Sequence, residues 1–178
     1  MSRYLISENT RRAAFFLLSC FWNIQPGFAD KLDFSSDDTV TVTAERAWEA
    51  DEVNVVHFSG KFELRAPDWS LVGDTAVVYG KLDNPDRVVV EGKPARISFL
   101  RDDEEDAGAS DPQERVDGTA FVVEYFRAND KLKMRGAASL VRKDSRLVSE
   151  LIEYDVDTDR YSASGEGGIN IQFSTDDD

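Results

Sequence analysis

Residues 56–65 read Val-His-Phe-Ser-Gly-Lys-Phe-Glu-Leu-Arg, and their alternation decides the fold. Val56, Phe58, Gly60, Phe62 and Leu64 share one parity; His57, Ser59, Lys61, Glu63 and Arg65 share the other. A period of two marks a strand with one buried face and one wet face. The pattern returns in Leu132, Met134, Gly136, Ala138 and Leu140, set against Lys131, Lys133, Arg135 and Ser139. It returns once more where Tyr161, Ala163, Gly165, Gly167, Ile169, Ile171 and Phe173 alternate as one long run. After residue 29 no segment sustains a helical period, and 44–51 would supply one or two turns at most.

The chain also matches itself. A shift of 76 residues lays Gly60, Leu64, Asp68, Leu71, Val72 and Asp83 on Gly136, Leu140, Asp144, Leu147, Val148 and Asp159. A shift of 44 lays Ala76, Asp86 and Gly92 on Ala120, Asp130 and Gly136, with Val88 and Val90 on Leu132 and Met134. The repeated unit is a long β-hairpin. Pro67-Asp68, Asn84-Pro85-Asp86, Asn129-Asp130 and Lys143-Asp144 supply turn chemistry between strands. Gly60, Gly92, Gly136 and Gly165 fall on the apolar parity, where a missing side chain lets a strand bend sharply. Strands bent at the middle can lend one half to each of two facing sheets. The expected fold is all-β, a folded-over jelly roll of repeated hairpins, open at its ends.

Composition narrows the function. The 178 residues suit one domain with a proper core. A formal charge of −14 argues against nucleic acid, whose binding needs a basic surface. Arg3, Arg11 and Arg12 precede an apolar run at 13–24, and Pro26-Gly27-Phe28-Ala29 offers a cleavage site before Asp30. That is the layout of a secretory signal peptide over 1–29, and the apolar run at 13–24 is too short for a transmembrane helix. Its removal would take away the only cysteine, Cys20. The domain then runs over 30–174, interrupted by an acidic loop insertion at 101–115, and 175–178 form an acidic tail.

Chemistry for catalysis is sparse. His57 is the only histidine and stands on a polar parity without a serine or cysteine constellation. The carboxylates of 101–115 lack the ligand spacing of a calcium loop. Gly165-Glu166-Gly167-Gly168 opens no helix and so makes no phosphate loop. The reading is a protein that is no enzyme and has no cofactor, no metal site and no catalytic residue.

From Phe58-Ser-Gly-Lys-Phe-Glu-Leu-Arg-Ala-Pro-Asp-Trp-Ser-Leu-Val-Gly-Asp-Thr-Ala-Val-Val-Tyr79 to Val88-Val-Val-Glu-Gly-Lys-Pro-Ala95, the chain resembles the OstA-like domain of the LptA family. Gly118-Thr119-Ala120, Tyr125 and Leu132-Lys-Met-Arg-Gly-Ala-Ala-Ser-Leu140 resemble the family's second stretch. The likeness spans roughly residues 39–173, and its specificity lies in the order and spacing of loose motifs. It implies a twisted β-jellyroll in the periplasm whose apolar groove carries lipopolysaccharide by its lipid A acyl chains. It further implies head-to-tail self-association between inner-membrane LptC-like and outer-membrane LptD-like components. A membrane-anchored LptC-like component, and a β-repeat scaffold or carbohydrate-binding module without lipid, remain alternatives.

Parity then nominates the groove-facing residues: Val56, Phe58, Phe62, Leu64, Val88, Val90, Leu132, Met134, Ala138, Leu140, Ile169, Ile171 and Phe173. Val123 and Tyr125 join them through the family pattern. A closed core would use the same residues.

Overall fold

The structure is a computed structural model that describes residues 39–102 and 113–174. The expected signal segment 1–29, most of the acidic insertion and the 175–178 tail lie outside the described residues. Among the described residues ten strands follow in chain order: β1 (Thr41–Thr43), β2 (Arg46–Glu49), β3 (Val55–Arg65), β4 (Trp69–Lys81), β5 (Asn84–Asp102), β6 (Gln113–Phe126), β7 (Lys131–Arg142), β8 (Ser145–Asp155), β9 (Arg160–Ser164) and β10 (Asn170–Phe173). They form one antiparallel sheet in the order β1-β3-β4-β5-β6-β7-β8-β10, with β2 also on β3 and β9 also on β8. Consecutive long strands pair as hairpins, as the repeat requires.

A row of register breaks crosses the sheet at mid-strand. Between β3 and β4 the register shifts at Ser59/Phe62; between β7 and β8 it shifts at Arg135/Ala138. In each case two residues oppose one, the signature of a bulge. Gly60 and Lys61 hold φ of 80° and 49°, and Gly136 and Ala137 hold 78° and 49°. The two pairs are related by the 76-residue repeat, so the self-similarity in the sequence is a repeated bulge. In β5 the break spans Glu91/Ala95 and contains the cis bond before Pro94.

The row of breaks is a fold line. The half of the sheet before it in β3 (leaf B) continues through 75–91, 122–135 and 151–155. The other half (leaf A) contains 62–73, 95–102, 113–120 and 138–149. Both edges split at the same line: β1 pairs with leaf A and β2 with leaf B, while β10 pairs with leaf A and β9 with leaf B. The leaves face each other. Across neighbouring strands, Phe99 is in line with Val116, Arg142 and Ser145, and Tyr154 lies nine residues further along β8. In a flat sheet that separation would be about 30 Å. Their ring centroids are 6.1 Å apart.

Four local expectations differ from the structure. Residues 46–49 are strand β2 and form no helical turn, because pairing with β3 satisfies their backbone. The turn expected at Asn84-Pro85-Asp86 sits earlier, at 82–83, and Pro85 opens β5, where a missing N–H is tolerated. The C-terminal run is two strands, since residues 165–169 leave the sheet and Gly168 takes φ of 80°. Gly165 is therefore a break between strands and not a bend within one. At the insertion, Arg101 pairs with Glu114 and Asp102 with Gln113, so the hairpin ladder reaches into the segment read as loop; 103–112 lie outside the described residues.

Gly136 tests the fold line. A Cβ there would sit 2.7 Å from Cδ2 of Phe121, at a φ of 78°. Gly136→Ala is expected to cost about 1–3 kcal/mol, read by urea unfolding. Gly167→Ala, which meets nothing within 4 Å, should stay within about 0.5 kcal/mol of wild type.

Candidate functional site

Side chains on the inward parity form continuous rows across the leaves. In leaf B, Phe58, Ala76, Val90, Val123, Met134, Ile152 and Ala163 are in register from β3 to β9. In leaf A, Val42, Leu64, Leu71, Ile97, Gly118, Leu140, Leu147 and Ile171 run from β1 to β10. Gly118 lets the rows meet: a Cβ on it would be 2.7 Å from Sδ of Met134 on the other leaf.

Exposure varies along this interior. Phe58, Phe62, Leu64, Val88, Val90, Val123, Tyr125, Leu132, Met134, Ala138 and Leu140 are buried in one apolar cluster. Val56 is half-buried, packed against the cluster with Val40, Val42 and Ala44 at the β1/β2 edge. At the β9/β10 edge, Ile171 is 42% exposed, Ile169 52% and Phe173 70%. The nominated residues thus fall into three groups: a filled middle, a half-covered N-terminal edge and an uncovered C-terminal edge. In the middle, the leaves meet through their own side chains.

Parity reasoning stopped at apolar residues and read 101–115 as a loop, and so missed the charged residues that extend the inward parity along β5, β6 and β7. Arg101 follows Ile97 and Phe99, Glu114 precedes Val116, and Arg142 follows Leu140. All three stand on inward parity at the rim of leaf A. The signal was present in the alternation itself. Opposite them, the turn between β8 and β9 brings Asp159 across from leaf B in a left-handed conformation, φ 52°. Its carboxylate lies 2.6 Å from Nη1 of Arg142 and 3.1 Å from Nη1 of Arg101. The hydroxyl of Tyr154 donates to the same carboxylate at 2.7 Å, as Tyr125 donates to Asp130. Burial first, then these acceptors, push both tyrosines far above the ordinary phenol pKa. Burial lifts the Glu114 carboxyl above its usual range, with partial relief from the Lys143 backbone and charge. For Arg142, burial disfavours the charge, but the bond to Asp159 together with the negative charge of Asp159 and its neighbours outweighs it and holds the guanidinium more basic than usual.

On the outer face, His57 stacks on Trp48 at 5.4 Å with the rings 8° from parallel. The basic residues of β7 are answered by acids on neighbouring strands: Lys133 by Glu153 at 2.8 Å, Arg135 by Glu124 at 3.0 Å.

A sheet folded on a row of bulges, apolar inside and open at both edges, has known counterparts. The family described as LptA/(LptD N-terminal domain) LPS transport protein matches residues 41–160. The chain belongs to that family. Among solved structures it is similar to LptH from Pseudomonas aeruginosa, described as the LptA homologous periplasmic component of the conserved lipopolysaccharide transport device. The match has a TM-score of 0.64 at 18% identity and covers 77% of this chain and 96% of that one. At that identity the likeness establishes the fold, an LptA-like β-jellyroll. No curated protein matches the chain. Family and fold are those of transport proteins and not of enzymes.

The raised Glu114 pKa fixes the sign of a pH effect. The native state holds this proton more tightly than the unfolded chain. The group's contribution to stability is therefore full below 4.5 and is lost as pH rises through the folded value. Glu114→Gln should raise the melting temperature at neutral pH, and the gain should fade on acidification, as thermal melts across that window will read.

Proposed function

We propose that this chain is a periplasmic carrier that shields the acyl chains of lipopolysaccharide between its two leaves. The observation that carries the reading is the continuity of the inward rows. The rows through Phe58 and Leu64 run without a polar break from the half-covered β1/β2 edge to the uncovered β9/β10 edge. Solvation is the whole of the chemistry required. Exposing one acyl chain of about a dozen carbons to water costs on the order of 10 kcal/mol at ~0.8 kcal/mol per CH₂. A lipid with several such chains therefore needs an apolar path between membranes. Because the middle is packed, an acyl chain enters by exchanging contacts with side chains such as Met134, whose unbranched thioether repacks readily. The leaves part about the fold line to admit it.

Edge strands with unpaired backbone groups invite addition of another strand. Copies of the domain would join head to tail, β9/β10 of one against β1/β2 of the next. LptC-like and LptD-like partners at either membrane would use the same edges. Such a contact would cover Ile169, Ile171 and Phe173 and extend the interior from one copy to the next. The packed middle also favours a second reading, a β-repeat scaffold with a solid core and no lipid.

Crosslinking separates the two. A photo-reactive residue at Phe62, Met134 or Ile171, with labelled lipopolysaccharide, should give adducts; one at the outward Arg96 should not. Adducts at none of the interior positions would establish the solid core. Self-association has its own test. Ile171→Asp should weaken it about tenfold by removing apolar contact at the edge, measured by light scattering over a dilution series.

A further inference from the structure

Asp159 joins what the fold line would otherwise leave apart. The seam opposite that line is where the strand ends of leaf A meet the turns of leaf B. There Asp159 grips both arginines of the facing rim, and its backbone carbonyl accepts a further bond from Nη1 of Arg142 at 2.8 Å. The three side chains are 16–22% exposed. The ion pairs Lys133–Glu153 and Lys131–Asp155, by contrast, join neighbouring strands within leaf B. The cluster is thus a bridge between leaves, set at the mouth of an apolar interior. Its geometry is also that of an anion site, two guanidiniums converging on one pair of oxygens, an arrangement that suits phosphate as well as carboxylate.

We propose that Arg101 and Arg142 form a binding site for the phosphate of an acylated, phosphorylated lipid, and that Asp159 occupies this site as a clasp until such a lipid displaces it. The proposal rests on the carrier reading above. The phosphate takes the two guanidiniums from the Asp159 carboxylate, the β8–β9 turn swings away, and the acyl chains pass between the leaves. No bond is made or broken beyond ion pairs and hydrogen bonds. The bridged state has a second effect: two partly buried arginines stay paired while no lipid is present, as the partial burial of their charge favours. Glu114, on the same rim, keeps negative charge near the arginines and so tunes the exchange. Free inorganic phosphate has no acyl chains to bury, and the clasp stays shut against it.

The test uses the full chain with a fluorescent acylated lipid in two forms, bisphosphorylated and dephosphorylated, and inorganic phosphate as competitor. Asp159→Asn removes the competing carboxylate, so affinity for the phosphorylated lipid should rise about tenfold, with less than about a twofold change for the dephosphorylated one. Arg101→Gln should lower affinity for the phosphorylated lipid about tenfold and leave the other unchanged. Should Asp159→Asn fail to fold, the Arg101→Gln comparison decides alone, with a thermal melt to confirm its fold. Equal effects on both lipids, or none, would overturn the clasp while leaving the carrier reading standing. Displacement of the lipid by millimolar inorganic phosphate would also overturn it, since the site would then take any small anion. If the unaltered chain binds neither lipid, the carrier reading falls and takes the clasp with it.

Discussion

A strand that belongs to two facing leaves must turn through a large angle without losing its neighbours. Every long strand here meets that demand, and the row of bulges is how. One extra residue in β3 and again in β7, with paired positive φ values at Gly60-Lys61 and Gly136-Ala137, bends each strand at the same level. Hydrogen bonding lost at one bulge is confined to a residue or two, and pairing resumes on the far side in shifted register. The apolar interior, the split edges and the seam all take their positions from this line. Deleting the extra residue of one bulge would shift the register beyond it by one and turn half a strand inside out.

The interior that results is graded. Side chains fill it in the middle, where Val88, Val90, Val123, Tyr125, Leu132 and Met134 are 0% exposed. At the edges the same rows have no further strand to lie against among the described residues. The hydroxyls of Tyr125 and Tyr154 each close on an aspartate five residues on, Asp130 and Asp159, so the polar tips of buried rings are satisfied in the turns. The inward charges are confined to the rim, where opposite charges from the two leaves meet.

Much of this was legible in the sequence, and for definite reasons. Alternation and the 76-residue self-match revealed the hairpins and the level at which Gly60 and Gly136 bend their strands, because a period of two and a bend in a buried row both leave marks in residue type. The middle of the interior was legible for the same reason: Phe62, Leu64, Val90 and Met134 lie on the inward side where parity places them. Legibility failed where two structures share one pattern. Alternation could not tell a continuous C-terminal strand from β9 and β10 separated by a glycine-rich turn. Nor does parity report how tightly two rows are pressed together, so a slot and a packed core looked alike. Arg101 and Glu114 escaped notice because they fall in the segment read as an acidic loop, and Arg142 because charge on an inward row contradicts the simple pattern. Only the approach of Asp159, far away in sequence, makes the two arginine positions tolerable, while Glu114 draws its relief from Lys143 and Arg142.

The two margins of the sheet are not alike. One offers β1 and β2 with Val40, Val42 and Ala44 half-covered; the other offers β9 and β10 with Ile171 and Phe173 laid bare. A contact between such unlike surfaces is heterologous, and it leaves a fresh margin of each kind at the ends of the pair. Any polymer grown that way has polarity, like a filament with two distinguishable tips, and its length is set by whatever caps them and not by the fold.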